Sequence, residues 1–350
     1  MNLEQLIRPN VRAMKPYASA RDEFQGPAAQ VMLDANENSL GSAGGQLFNR
    51  YPDPLQRAVK AEVARLKGVG PEQIFLGNGS DEAIDLLLRL TCVPGQDSIL
   101  ILPPTYGMYE VAANLNDVAI ERVPLTADFQ LSDEAIEKVV ASSAKLVFIC
   151  SPNNPTGNLL HAEAVERVLR GFGGLVVVDE AYVDFAAAPS WTTRLGEFEN
   201  LVVLQTFSKA WGLAGLRLGM AFAAPALIQY LNKIKPPYNV SESTQQHALA
   251  GLADTSGFDA MRRELLQQRE QLAAALPTLP IVEQVFPSDA NFLLARFRPD
   301  ATAVYEYLLG RGIVVRNRTS QPGCAGCLRL TVGTPAENAQ LLAALREYAG

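Results

Sequence analysis

The feature of this sequence that most restricts its fold is an alternation, from Ile74 to Phe222, of short apolar segments with segments of helical periodicity. Segments such as LVFIC and LVVV are apolar without interruption, which is typical of strands buried on both faces of a sheet. Strands that alternate with helices predict a mainly parallel sheet covered by helices on both faces. Because the carboxyl ends of parallel strands meet at one edge, the residues that follow the strands are expected to line one crevice.

A lysine follows one of these predicted strands, in the segment TFSKAWGLAGLRLG at residues 206–219. Burial and the neighbouring cation Arg217 both disfavour the ammonium form of Lys209, which makes its amine available as a nucleophile toward a carbonyl group. The hydroxyls of Thr206 and Ser208 and the guanidinium of Arg217 are typical phosphate ligands. A loop lysine is more often simply solvated, so the interpretation depends on what the other strand ends carry.

Two further strand ends carry polar side chains. In LVVVDEAYVDF, Asp179 is the first charge after four apolar residues, and a buried carboxylate requires a cationic or hydrogen-bonding partner. Tyr182 follows three residues later. In SPNNPTG, two prolines and a glycine define a rigid turn that restricts the amide of Asn154.

The segments GNGSDEAIDLLLR and PPTYGMY add a candidate anion site and an aromatic ring. A helix capped by Ser80 or Asp81 begins directly after glycines, and free amides at a helix N-terminus bind phosphate. Tyr106 lies at another strand end, where its ring could stack on a planar cofactor or pack against Tyr109. A nucleophilic lysine, a buried acid, oriented donors, an aromatic ring and an anion site together describe a pyridoxal phosphate site.

The composition excludes several other functions. The chain has 350 residues, 30 of them basic and 37 acidic, and its net charge of −7 includes no basic block, which argues against a nucleic acid or an anionic membrane as partner. No apolar run is long enough for a membrane span and MNLEQLIRPN lacks the core of a signal peptide, so we expect a cytoplasmic protein. Four scattered cysteines and two histidines do not complete a metal-binding pattern, and no metal is expected.

The pattern predicts three regions along the chain. Residues 1–30 are expected to form an N-terminal arm, and residues 31–240 a large domain that starts with a short strand at 31–38. Residues 241–350 are expected to form a linker helix and a smaller α/β domain with strands in IVEQVF, NFLLARF, GIVVRNR and CLRLTVG.

Several of these motifs together resemble a known family. SPNNPTG, DEAY, TFSKAWGLAGLRLG and CLRLTVG, in this order, are similar to the fold-type I aminotransferases of classes I and II. The resemblance implies an α/β fold with a large, mainly parallel sheet domain and a smaller C-terminal α/β domain. It also implies pyridoxal 5′-phosphate as cofactor and a symmetric homodimer.

The resemblance assigns roles to the strand-end residues. It makes Lys209 the residue that binds the cofactor aldehyde and moves the proton, and Asp179 the partner of the pyridine nitrogen. Tyr182 and Asn154 would bind the phenolic oxygen, and Tyr106 would stack on the ring. The implied phosphate ligands are the amides of Ser80 and Asp81, the side chains of Thr206, Ser208 and Arg217, and Tyr51 of the neighbouring subunit.

A narrower resemblance covers nearly the whole chain and is carried by YPDP, GNGSDEAIDLLLR, PPTYGMY, KPPYNVS, ANFLLARF and GIVVR. It points to the branch that transaminates histidinol phosphate with 2-oxoglutarate, giving glutamate. The substrate residues it implies are Arg329, Arg316, Tyr17 and Asn36, although ENSLG stands where this branch commonly has ENP. The alternatives are an aromatic amino acid aminotransferase or a threonine-phosphate decarboxylase of the same fold, and a non-catalytic regulator that binds the cofactor.

Overall fold

The computed structural model describes residues 3–16, 31–45 and 47–348 of the chain. Within these ranges the strands form a seven-stranded and a four-stranded sheet. The strands of the large sheet are β1 (Ile74–Asn78), β2 (Ser98–Ile101), β3 (Ala119–Arg122), β4 (Leu146–Cys150), β5 (Leu175–Asp179), β6 (Leu201–Thr206) and β7 (Leu218–Phe222). The strands of the small sheet are β8 (Val282–Val285), β9 (Phe292–Phe297), β10 (Arg316–Asn317) and β11 (Cys327–Thr331).

The helices of the described ranges surround these sheets. They are α1 (Leu3–Leu6), α2 (Pro9–Ala13), α3 (Arg57–Lys67), α4 (Gly79–Thr91), α5 (Met108–Leu115), α6 (Asp133–Ala141), α7 (Ala162–Gly171), α8 (Pro225–Ile234), α9 (Glu242–Ala253), α10 (Thr255–Ala275), α11 (Ala301–Gly310) and α12 (Pro335–Glu347).

The large sheet has the strand order β1-β7-β6-β5-β4-β2-β3. Neighbours from β3 to β6 are parallel, whereas β7 is antiparallel to both β6 and β1. Every residue of β4, β5, β6 and β7 is buried, because helices cover both faces. Val176 and Val178 pack in one hydrophobic core with α3, α6, α7 and α9, and Leu175 and Val177 pack in another with α4, α5 and α8. The predicted parallel sheet with two covered faces is confirmed.

The small sheet is antiparallel throughout, in the order β10-β11-β9-β8. Helices α10, α11 and α12 pack on it through a separate core that includes Leu272, Val304 and Leu341. In β10 and β11 the Cα atoms of Arg316 and Arg329 are direct partners. The sheet therefore holds two arginines side by side where it faces the large sheet. The domain boundaries at residues 30 and 240 stay a prediction.

The part of the N-terminal arm that the structure describes packs on this chain's own large sheet layer. Ile7 and Val11 are buried in the core that contains α4 and α8, and the Arg8 amide donates to the Leu90 carbonyl at 3.0 Å. Tyr230 of α8 donates to Glu4 at 2.8 Å.

Two predicted strands are wrong or too long. Residues 31–38 form no strand, because Val31 and Leu33 are exposed and lack a partner strand in the described chain, and Asn36 has a positive φ of 54°. In GIVVRNR only Arg316 and Asn317 are in a strand. Apolar residues alone did not define a strand, since strand pairing also requires a neighbouring edge.

None of the helices in the described ranges combines the length and apolar character that crossing a membrane requires. The same residues contain no group of three or more His, Cys, Asp or Glu side chains that could hold a metal ion.

Candidate active site

The carboxyl ends of β4, β5 and β6 meet in a cavity of about 130 Å³. This is the edge of the sheet at which the sequence predicts the crevice. The predicted residues that line the cavity are Ser80, Asp81, Tyr106, Asn154, Asp179, Tyr182, Thr206, Ser208, Lys209 and Arg217. Residues from five separate segments of the sequence are thus brought together.

Asp179 is the last residue of β5 and is only 2% exposed. Its Oδ2 accepts a hydrogen bond of 2.6 Å from the Tyr109 hydroxyl, and its Oδ1 accepts one of 3.1 Å from the Ala181 amide. Burial raises the pKa of this carboxyl to about 6, although both hydrogen bonds lower it. No cation in the described chain forms a salt bridge with Asp179, so the site can accept a cationic ligand here.

Lys209 follows β6 on the opposite wall. Its pKa is lowered mainly by burial, and further by the guanidinium groups of Arg329 and Arg217. The ammonium lies 5.7 Å from the centroid of the Tyr182 ring, and no carboxylate of the described chain is within salt-bridge distance of it. These surroundings favour the neutral amine, as the sequence predicts.

The N-terminus of α4 and the loop after β6 form an anion cradle. The backbone of β7, which follows that loop, lies so close to the first turn of α4 that a Cβ on Gly219 would lie 2.2 Å from the Ser80 nitrogen. The Thr206 hydroxyl donates to Ser208 Oγ at 3.0 Å, and Arg217 Nη1 donates to the same oxygen at 3.4 Å. Free amides, hydroxyls and a guanidinium therefore converge at the positive end of a helix dipole.

Tyr106 and Asn154 form the side walls of the cavity. The Tyr106 hydroxyl donates to Asp81 Oδ1 at 3.1 Å, and its ring contacts the Tyr109 ring edge-on, with centroids 5.5 Å apart. Asn154 is buried, and its Oδ1 accepts a hydrogen bond from Arg329. The ring of Tyr106 thus packs on Tyr109 while it also lines the cavity.

A second cavity, of about 410 Å³, adjoins the first and shares Tyr106, Asn154, Tyr182 and Lys209 with it. Its far side belongs to the small sheet and carries three arginines, Arg316, Arg318 and Arg329. The two predicted substrate arginines therefore lie next to the predicted cofactor residues.

Two predicted residues of the described chain are not in these cavities. Asn36 and Tyr51 line a separate surface cavity of about 490 Å³, where Tyr51 stacks on Tyr238 with centroids 4.4 Å apart. Tyr51 is 51% exposed. Tyr17 lies outside the described residues.

Two residues of the site are missing from the sequence-based set. Tyr109 was considered only as packing for Tyr106, but it is fully buried and holds Asp179. Arg318 lies two residues after Arg316 in GIVVRNR, so strand alternation, which puts residues i and i+2 on one face, could have indicated it.

Comparison with known proteins agrees with this geometry. The family model "Aminotransferase class I and II" matches residues 20–345, and the chain therefore belongs to the class I and II aminotransferase family. This confirms the family and the fold predicted from the sequence.

Within that family, the chain is 53% identical over 347 residues to the histidinol-phosphate aminotransferase of Cytophaga hutchinsonii, with 99% of each chain covered. The crystal structure of histidinol-phosphate aminotransferase from Sinorhizobium meliloti in complex with pyridoxal-5′-phosphate is 26% identical, with a TM-score of 0.78 and 89% of each chain covered. L-threonine-O-3-phosphate decarboxylase from Porphyromonas gingivalis is 25% identical, with a TM-score of 0.72, 85% of this chain covered and 90% of that one.

Proposed function

We propose that this protein is a histidinol-phosphate aminotransferase of histidine biosynthesis. It transfers the amino group of L-histidinol phosphate to 2-oxoglutarate and yields imidazole acetol phosphate and L-glutamate. The observation that carries the proposal is that Lys209 lines both of two adjoining cavities, one of which contains Asp179 and the other a group of arginines. The name shared by the similar relatives supports the same reaction.

The residues of the first cavity fit pyridoxal 5′-phosphate. The cofactor has a cationic pyridine nitrogen, an aldehyde and a phosphate. The cavity offers a buried acid with no cationic partner among the described residues, a lysine with a lowered pKa and an anion cradle. In this proposal Asp179 holds the nitrogen and Lys209 the aldehyde. The phosphate ligands are the amides of Ser80 and Asp81 and the side chains of Thr206, Ser208 and Arg217.

When bound, the cofactor withdraws electrons from the substrate carbon that bears the amino group. The side chains do the rest. Once the amino substrate has displaced it from the aldehyde, Lys209 Nζ would take the proton from that carbon as a general base and, as a general acid, deliver it to the cofactor carbon that carried the aldehyde, which the lowered pKa of the amine permits. Asp179, ionised and fixed by Tyr109 and Ala181, keeps the pyridine nitrogen protonated. Tyr182 and Asn154 bind the phenolic oxygen, and Tyr106 covers the ring.

The arginine side of the second cavity binds the anionic groups of both substrates. Histidinol phosphate presents a phosphate monoester and glutamate presents carboxylates, and planar guanidinium groups pair with either anion through two hydrogen bonds. We assign this role to Arg329 and Arg316, together with Tyr17. The predicted role of Asn36 is not supported within one chain, because Asn36 lines the separate cavity of Tyr51. Alternating use of one pocket by both substrates predicts ping-pong kinetics.

The functional unit in this proposal is a homodimer in the cytoplasm, in which Tyr51 of one subunit reaches the cofactor phosphate of the other. The exposed Tyr51 and its stacking on Tyr238, away from the main cavity of its own chain, support this. Mixing Lys209→Ala chains with Tyr51→Phe chains is expected to restore activity above that of either variant alone, because some hybrid sites contain neither change. A mixture no more active than its parents would contradict a shared site.

The substrate assignment is tested by giving the cofactor-loaded protein histidinol phosphate, phenylalanine or threonine phosphate separately. We expect the change in cofactor absorbance to be fastest with histidinol phosphate, with imidazole acetol phosphate as product. Faster conversion of phenylalanine would favour an aromatic amino acid aminotransferase.

A second candidate is a decarboxylase that acts on threonine phosphate, favoured by the structural similarity to such an enzyme. Release of carbon dioxide from threonine phosphate would support it. Cofactor binding without conversion of any amino donor would instead indicate a non-catalytic regulator.

A further inference from the structure

Three arginines lie together on the small sheet where it faces the cofactor cavity. The Cα atoms of Arg316 and Arg329 are direct partners across β10 and β11. The Arg318 amide donates to the Cys327 carbonyl at 2.9 Å, so the pairing continues past the end of β10. Because residues i and i+2 of an extended strand share a face, Arg318 lies on the same side as Arg316. All three side chains line the second cavity, of about 410 Å³.

Acidic side chains of the described residues do not balance the charge of this cluster. No carboxylate in the described part of the chain forms a salt bridge with Arg316, Arg318 or Arg329. The buried Nε atoms of Arg318 and Arg329 lack hydrogen-bond partners, and the pKa of Arg318 is lowered by burial and by its two arginine neighbours. Like charges this close together repel each other, and a bound anion relieves the repulsion. The cluster is therefore a candidate anion-binding site.

The three arginines differ in their surroundings. Arg329 is hydrogen-bonded to Asn154 and lowers the pKa of Lys209, which places it beside the reacting groups. Arg316 is exposed and Arg318 is half-buried. A phosphate monoester near neutral pH carries a charge of about −1.5 to −2, whereas a carboxylate carries one charge. A pair of arginines therefore matches the phosphate ester better than a single one does.

We propose that Arg318 is a specificity-determining residue that, together with Arg316, binds the phosphate group of the substrate. This proposal rests on the proposed function, since it assigns the phosphate ester to the outer part of the same site. Arg318 favours the phosphorylated amino donor over glutamate, whose distal carboxylate needs only one arginine.

The test compares Arg318→Gln and Arg318→Lys with the wild type, all loaded with cofactor. For Arg318→Gln we expect kcat/KM for histidinol phosphate to fall by about 10- to 100-fold. For glutamate in the reverse half-reaction we expect a loss of less than about 3-fold. Arg318→Lys keeps the charge without the planar fork, so its loss should be intermediate. The matched control is Arg311→Gln, which removes an exposed arginine of the small domain outside the cavity that is paired with Glu347 and should leave both values unchanged.

Binding of inorganic phosphate, measured by calorimetry, provides a readout that does not depend on turnover. We expect the affinity to fall by about 10-fold in Arg318→Gln and to stay unchanged in Arg311→Gln. Equal losses for both amino donors, or unchanged phosphate affinity, would overturn the role of Arg318. If the wild type does not convert histidinol phosphate, the proposed function fails, and the calorimetry still decides whether Arg318 binds phosphate. Unfolding midpoints identify a misfolded variant, in which case Arg318→Lys carries the comparison.

Discussion

The two halves of the crevice differ in the partners that their polar and charged side chains have within the protein. In the half formed by the large sheet, both oxygens of Asp179 accept hydrogen bonds from the protein, and the hydroxyls of Thr206 and Ser208 bind each other. In the half formed by the small sheet, Arg316 and Arg318 have no carboxylate partner in the described chain, and like charges lie opposite one another.

This difference separates two functions. In the half formed by the large sheet, which we propose binds the cofactor and call the cofactor half, hydrogen bonds within the protein orient the side chains before any ligand binds. Catalysis requires this preorganisation. The arginine half is incomplete until an anion arrives, so a ligand stabilises it. Changes in the first half should therefore affect chemistry and cofactor affinity, and changes in the second should affect substrate affinity.

The largest effect is expected for Lys209→Ala. In the proposed function Lys209 is the general base, so the variant should convert histidinol phosphate at least about 10³-fold more slowly in single turnovers. It should still bind the cofactor, because the phosphate cradle is intact. Lys138→Ala, which removes an exposed lysine paired with Glu134, is the control. A near-normal rate in Lys209→Ala would refute the assignment of the base.

Asp179→Asn is expected to stabilise the cofactor-free protein while it slows catalysis. The pKa of Asp179 is raised to about 6 in the folded protein by burial, so its contribution to stability is present at low pH and is lost as pH rises through that value. The variant has no carboxyl to ionise and avoids this loss. Its free energy of unfolding should exceed that of the wild type by roughly 3 kcal/mol at neutral to alkaline pH. Denaturant unfolding at about pH 5 and about pH 8 measures it.

Glu180 also contributes to the pH dependence of wild-type stability. Burial raises its pKa to about 7, so its ionisation lowers stability as pH rises, as that of Asp179 does. Only the difference between variant and wild type therefore isolates Asp179. A difference that shrinks as pH rises would contradict a strained carboxylate in the cofactor half.

Tyr109→Phe is expected to have a moderate effect on cofactor affinity. The hydrogen bond from Tyr109 lowers the pKa of Asp179, so its removal should raise that pKa and shift the pH dependence of cofactor binding upward. Near neutral pH we expect binding about 10-fold weaker, measured by equilibrium dialysis with pyridoxal phosphate. Tyr230→Phe, which removes a surface hydrogen bond to Glu4, is the matched control. An unshifted pH midpoint would show that Tyr109 does not tune the acid.

The smallest effect on stability is expected for Arg316→Gln. Since Arg316 lies directly opposite Arg329, its removal should raise the stability of the ligand-free protein by less than about 1 kcal/mol while KM for histidinol phosphate increases. Thermal unfolding with and without phosphate measures both effects. Arg122→Gln is the control, because Arg122 is paired with Glu110 and its removal should not stabilise. Destabilisation by Arg316→Gln would mean that the arginine half is not electrostatically strained.

The cofactor half was largely predictable from the sequence. Ser80, Asp179 and Lys209 all follow buried strands in short motifs, and parallel strands bring such positions to one edge. The ends of strands are local features, so contiguous residues were sufficient to find them. The small-sheet half was predicted only in part, because its assignment depended on resemblance and left Arg318 out.

Other errors share a physical cause. The hydrogen bond between Tyr109 and Asp179 joins residues 70 positions apart, and no local pattern encodes such a pairing. Residues 31–38 have strand-like composition but no partner strand within the described part of the chain. In both cases the local structure depends on which distant segment of the chain packs against these residues.

The sequence by itself determined the alternation of strands and helices between Ile74 and Phe222, the residues at those strand ends and the family, because apolar periodicity and short motifs are local and do not depend on how distant segments pack. Only the tertiary structure decided that the Tyr109 hydroxyl binds Asp179 and that Tyr51 lines a cavity separate from the one that contains Lys209. It also decided that three arginines lie together without an acid among the described residues. Burial, desolvation and charge repulsion depend on distances across the fold, and the fold sets those distances.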